Sequence, residues 1–276
     1  MTVVGTSGRA GGLRLLDPVP QPLASLDHRS ARSGGGSRHA RLPVDRLRVD
    51  RLPAGCDALL VTGDLQGVAV PPTGGDPVLL GLALADQLAV WAEAGLLPPP
   101  ERIGVLLTGD LYAAPAADRR GASGPVADVW LAFAAAGCPM VFGVAGNHDE
   151  VTAAEVGAYG ESVALLDGES REWGGLRFAG VGGVVGDPRR PHRRDEADFL
   201  RAVGEAAATA PATLLLHEGP TGESAAQRGN PGVRQVLAAG PPTLTLCGHV
   251  HWDEPVARLG DGHVLNVDGR AVLLTA

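Results

Sequence analysis

The chain has 276 residues, of which 45% are hydrophobic, 20% charged and only 4% aromatic, with a formal net charge of −8. This composition suits a folded domain with a full core and is wrong for a disordered chain. The acidity and the scarcity of rings argue against a general nucleic-acid binder, which needs a basic face and stacking platforms, so nucleic acid enters only as a substrate.

Three cysteines, Cys56, Cys138 and Cys247, are widely spaced, and no C-x-x-C pair exists. Neither a zinc ribbon nor a redox couple is indicated; buried free thiols in a reducing compartment are the expectation. The opening residues lack the charged-then-apolar pattern of a secretion signal, and no apolar run reaches membrane-spanning length. A cytoplasmic protein without membrane contact follows as an expectation.

Residues 1–56 are rich in Gly, Arg and Pro, and form an N-terminal segment expected to pack on or extend the main unit, residues 57–276. RSARSGGGSRHAR (29–41) is its loosest stretch. The glycine triplet reads most simply as a flexible loop. A basic loop that contacts phosphate is the sharper alternative. From residue 57 the rhythm changes. ALLVTGD (58–64), IGVLLTGD (103–110), PMVFGVAGNHD (139–149), ATLLLHEGP (212–220) and TLTLCGHVH (243–251) are short Val- and Leu-rich runs that end beside Gly, as buried strands do. Helical patterns fall between them at about 78–95, 124–137, 195–209 and 232–239. Asp195 and Glu196 suit the positive N-terminus of the third. Residues 171–184 and 255–275 read as hairpins with Gly-Gly and Asp-Gly turns. Strands alternating with helices, plus hairpins, predict an α/β layered sandwich with mixed sheets. GVGGVVG (180–186) lacks the G-x-G-x-x-G spacing before a helix, so it is a turn or close-packed strand rather than a dinucleotide loop.

The polar residues fall in one kind of place. Asp64, Asp110, Asn147, His148, Asp149, His217, His249 and His251 all follow the C-terminal end of an expected strand. That edge is where α/β sheets build sites. Singly, each has a structural explanation as a turn former, a cap or a satisfied core histidine. Jointly, four of the eight histidines would have to reach one edge by chance. Oxygen and imidazole donors without thiolate suit hard or borderline divalent cations, and the set is large enough for two ions about 3.5–4 Å apart.

The ordered motifs GDLQG (63–67), GDLY (109–112), GNHD (146–149), LLHEGP (215–220) and GHVH (248–251) resemble those of the calcineurin-like metallophosphoesterases. The resemblance covers about residues 57–270. It implies a four-layer αββα sandwich, a binuclear metal centre at the strand C-terminal ends, and hydrolysis of a phosphate ester by a hydroxide generated between two divalent ions. By the same resemblance Asp64, Gln66 and His251 hold the first ion, Asp110 bridges both, and Asn147, His217 and His249 hold the second. His148 lies near the scissile phosphate as stabiliser or proton donor, with Asp149 orienting it. Gln66 departs from the family, which usually has His there. A neutral amide oxygen is a harder and weaker ligand than imidazole, so Mn2+ is the expected metal, ahead of Mg2+, Fe, Zn2+ or Ni2+. Gln at this position also resembles the branch that acts on nucleotide diphosphates.

Around the metals, the basic loop GDPRRPHRRDE (186–196) is either a solvated surface or a source of phosphate contacts from Arg189, Arg190 or Arg193. Tyr112 and Trp252 flank metal motifs and either stack a base or pack a wall. A small phosphorylated substrate is the expected partner, with nucleotides among the candidates. A non-catalytic scaffold that keeps the fold is the alternative function.

Overall fold

The structure is a computed structural model, and it describes residues 11–276. The chain opens with a long hairpin, β1 (Leu15–Ala31) and β2 (Ser37–Val49), turning at 32–36. The stretch expected to be loosest is therefore the hairpin's end, and the glycine triplet is its turn. Prolines 18, 20 and 22 are compatible with this strand because β4 pairs β1 only at Arg29 and Ser30, so no partner on that side needs the missing N–H groups.

Next come β3 (Ala58–Gly63), β4 (Gly67–Ala69), β5 (Val78–Leu79), helix α1 (Leu80–Glu93) and β6 (Ile103–Leu107). A two-residue β7 (Gly124–Pro125) precedes α2 (Ala127–Ala135) and β8 (Val141–Gly143), and another short strand, β9 (Asp149–Glu150), pairs with β7. A one-turn helix, α3 (Ala153–Gly157), leads to β10 (Val163–Leu165); it is too short for sequence periodicity to reveal. With β7 and β9 set aside, these strands and the last strand of the chain, β19 (Arg270–Thr275), share one sheet in the order β10-β8-β6-β3-β19-β2-β1-β4-β5.

The second half builds a six-stranded sheet. It contains β11 (Ser170–Trp173) and β12 (Leu176–Val181), then, after the small pair β13 (Val184–Val185) and β14 (Arg193–Arg194), helix α4 (Glu196–Ala208) and β15 (Thr213–Glu218). Helix α5 (Pro231–Ala238) and β16 (Leu244–Gly248) follow, then β17 (Val256–Leu259) and β18 (Gly262–Asn266). The order is β11-β12-β15-β16-β18-β17. Finally β19 returns to the large sheet, parallel to β2 and antiparallel to β3.

Residues 255–275 thus make one hairpin, not two. The Asp261–Gly262 corner joins β17 to β18 as expected. The Asp268–Gly269 corner instead carries the chain from one sheet to the other. Local turn chemistry is the same in both; only the packing of two sheets distinguishes them. The alternation of the strands explains that packing. On β3, Leu59 and Val61 join a core shared with Phe178, Leu215 and Leu246 of the other sheet, while Leu60 faces Leu84, Leu88 and Trp130 on α1 and α2. The outer face of the second sheet packs Leu214 and Leu216 against Phe199, Val203 and Val233 of α4 and α5. Each sheet has one face on its neighbour and one on helices, so the parallel strands are buried throughout. No helix among the described residues is long and apolar enough to cross a membrane.

Candidate metal centre

The C-terminal ends of β3, β6, β8, β15 and β16 meet at one edge. At three of them the chain leaves the strand through a left-handed, non-glycine residue: Asp64 at φ 51°, Asp110 at φ 53° and His249 at φ 70°. Such residues are strained by roughly 1–3 kcal/mol each, and strain of this kind persists where surrounding structure over-determines it. Only six described non-glycine residues adopt this conformation, and half of them lie here. The fixing bonds are visible. Asp64 N–H donates to the Gly109 carbonyl at 2.8 Å, and the His249 N–H donates to the Asp64 carboxylate at 2.9 Å. Side chains on Gly146 or Gly248 would overlap the carboxylates of Asp110 and Asp64, so both positions require glycine.

Asp110, His217 and His249 bring their ligand atoms within 4.8 Å of one another. The His217 Nδ1 lies 2.8 Å from the Thr108 carbonyl, which fixes that nitrogen as the N–H donor. Nε2 is then the free nitrogen. It lies 3.5 Å from Asp110 Oδ1, fully buried and without a hydrogen-bond partner. The Asn147 Oδ1 is likewise buried and unpartnered. Burial alone would push the His217 imidazole down, but the Asp110 and Asp64 carboxylates prevail and raise it to about 10. Burial also pushes the Asp110 carboxyl up; the His217 ring and the His148 N–H, 2.9 Å from Oδ1, prevail and hold it at about 2. For His249 nothing opposes burial strongly enough, and repulsion from His217 lowers it further, to about 4. The pocket therefore already favours positive charge at a point between carboxylates. Two orphaned ligand atoms around a buried carboxylate are what a divalent cation needs, so the residues fit such an ion.

The other half is arranged differently. Gln66 Nε2 donates to Asp110 Oδ2 at 2.9 Å. His251 is exposed; its Nδ1 lies 3.1 Å from the Asp268 carbonyl and 3.3 Å from the Asp268 carboxylate, and Arg270 Nη2 stands 3.4 Å from its Nε2. Asp64, Gln66 and His251 line one cleft with Asp110; the Gln66 Oε1 makes no hydrogen bond to another described residue, while the His251 Nε2 faces the Arg270 guanidinium. Burial with two neighbouring carboxylates raises the Asp64 carboxyl well above its usual range.

Asp149 has a role other than the one expected. Its carboxylate accepts the N–H groups of Asp110, Leu111 and Gly146, each at 2.8 Å, and so clamps the loop after β6 to the loop after β8. The His148 ring is met instead by Ser123, 3.3 Å from Nδ1. Asp149 shapes the metal loop; Ser123 orients the imidazole.

The residues expected to meet substrate fall in different places. Arg189 is 90% exposed and ion-paired with Asp187 at 2.7 Å, while Arg193 hydrogen-bonds the Pro191 carbonyl; neither they nor Arg190 line the cleft that holds Asp64 and Asp110. Trp252 is 1% exposed, and its indole N–H donates to the Arg228 carbonyl, so it anchors a wall and offers no stacking face. Tyr112 does line the cleft. Asp268 and Arg270 escape sequence reasoning because Asp268–Gly269 reads as a hairpin turn. The rule that singles out Asp64 and Asp110, a carboxylate just past a strand's C-terminal end, applies to Asp268 after β18.

No curated protein matches the chain. Among solved structures, TT1561 of Thermus thermophilus superposes with a TM-score of 0.54 at 19% identity, over 78% of this chain and 90% of that one. A second solved structure gives 0.53 at 14% identity, over 81% and 95%. These likenesses establish the fold. The profile of the calcineurin-like phosphoesterases matches residues 58–253, the span that carries every motif of the metal edge, and the chain belongs to that family of metal-dependent phosphoesterases.

Proposed function

We propose that the chain hydrolyses a small phosphate ester, a diester or a nucleotide diphosphate rather than a phosphoprotein, with two divalent ions, Mn2+ foremost. The observation that carries this reading is the pair of buried, unpartnered ligand atoms, Asn147 Oδ1 and His217 Nε2, beside the Asp110 carboxylate. Asn147, His217 and His249 would hold one ion, Asp64, Gln66 and His251 the other, and Asp110 would serve both. Divalent ions supply a nucleophile at neutral pH and offset charge on the phosphoryl oxygens. The chain's own groups do the rest. Thr108 holds the His217 tautomer, Asp149 fixes the backbone beneath Asp110, and Ser123 at Nδ1 leaves His148 Nε2 to pass a proton to the leaving oxygen. Mixed amide, carboxylate and imidazole donors favour Mn2+ over a tight zinc site. A cleft of about 990 Å³ suits a nucleotide-sized ligand.

Purified protein, stripped and reloaded with Mn2+, should cleave bis-p-nitrophenyl phosphate faster than p-nitrophenyl phosphate. The Arg270 guanidinium, 3.4 Å from the His251 Nε2, favours the alternative, a scaffold that keeps the fold. Absence of turnover with any divalent ion, together with absence of bound metal by elemental analysis, would establish that alternative.

A further inference from the structure

The walls of the cleft differ in charge from its floor. Five arginines line it: Arg38 and Arg41 from β2, Arg119 and Arg120 from the loop after β6, and Arg228 from the loop before α5. Most of them lack an acidic partner. Of the seventeen described arginines elsewhere, eight have a carboxylate within 4.0 Å. In the cleft only Arg41 does, through the exposed Asp27. Arg38 reaches just the Ser30 hydroxyl at 3.4 Å, and among the described residues the side chains of Arg119, Arg120 and Arg228 make no hydrogen bond or ion pair. The floor beneath them carries the carboxylates of Asp64 and Asp110, yet these guanidinium groups do not reach down to neutralise it. Unpaired guanidinium groups gathered at one cleft suit an anion that arrives with the ligand.

Both walls are anchored to the metal edge. The hairpin joins the sheet where Ser30 pairs with Gly67, the residue after Gln66. The other wall starts from Asp110 itself, and its Ala113 and Ala117 are buried against Val68 beside β5. The arginines are therefore carried by framework continuous with Gln66 and Asp110.

We propose that Arg38, Arg41, Arg119 and Arg120 form a second anion subsite, which selects substrates bearing a further phosphate beyond the one that reacts. The proposal rests on the reading of the cleft as a phosphoesterase site. A compact substrate is favoured over a polynucleotide because the cleft is nucleotide-sized and the chain as a whole is acidic, which repels an extended polyanion beyond the cleft.

The test reads binding without turnover, so that a failure of hydrolysis leaves it intact. N-methylanthraniloyl-labelled α,β-methylene-ADP, whose phosphate–phosphate link cannot be hydrolysed, and AMP are titrated into Mn2+-loaded full-length protein by fluorescence anisotropy. The wild type should bind the diphosphate at least about 10-fold more tightly than the monophosphate, since each charge-assisted contact contributes about that factor. The double variants R38S/R41S and R119S/R120S should each lose most of that preference, by weakening the diphosphate probe about 10-fold and the monophosphate probe much less. R189S, outside the cleft, should bind both probes as the wild type does, and circular dichroism should show all variants folded. Equal affinity of the wild type for the two probes, an unchanged preference in both double variants, or tighter binding of a labelled ten-nucleotide single strand than of the diphosphate would overturn the proposal.

Discussion

The two halves of the metal edge are built from the same residue types but stand in different states. Around Asn147 and His217, ligand atoms are buried and unsatisfied, with tautomer and backbone already fixed by Thr108 and Asp149. Around Asp64, Gln66 and His251, one Asp64 oxygen accepts the His249 N–H and the exposed His251 turns its Nε2 towards the Arg270 guanidinium. To take a cation the first half gives up only the proton that the neighbouring carboxylates favour on His217, whereas the second must admit a charge beside the Arg270 guanidinium, through an exposed His251. A ligand set complete on paper therefore need not be uniform in affinity. The preorganised half should take its ion first and more tightly.

Asp110 belongs to both halves, so D110N should erase the contrast altogether. Mn2+-dependent cleavage of bis-p-nitrophenyl phosphate should fall about 10³-fold or more, with loss of both ions by elemental analysis. Retention of two tightly bound ions would remove Asp110 from its bridging position. The halves are separated by H217A and H251A, followed by Mn2+ titration calorimetry. H217A should weaken the tighter step at least about 100-fold, while H251A should spare that step and lose only the weaker one. The reverse pattern would invert the assignment. D149A tests whether preorganisation depends on the clamp. Three buried N–H groups lose their acceptor, so unfolding in urea should show a loss of about 2–4 kcal/mol, with the tighter ion weakened as well. Smallest is Q66H, which places an imidazole where the amide now meets Asp110. It should tighten only the weaker step, by about 10-fold, and narrow the gap between the halves.

Much of this is readable from residue order. The runs ending in GD, GNHD, HEGP and GHVH announce strands whose last residues are polar, and the motif order names the family. Other features are not legible, for identifiable reasons. Asp149 sits next to His148 in sequence, but backbone N–H groups of a different loop claim its carboxylate. Arg189 and Arg190 look functional as a charge run, yet Asp187 two residues away satisfies Arg189, and neither of the two lines the cleft. Arg38 and Arg41 look like part of a loose basic tail, and they become a wall only when β1 and β2 join the large sheet.

Residue order alone specifies which atoms can bind a cation and which segments are buried strands, because donor chemistry and alternation are properties of residues a few positions apart. How those atoms are shared is settled by the folded chain. Whether a carboxylate meets an ion, an amide or an arginine depends on which distant segments the two sheets press together, and no local pattern records that competition.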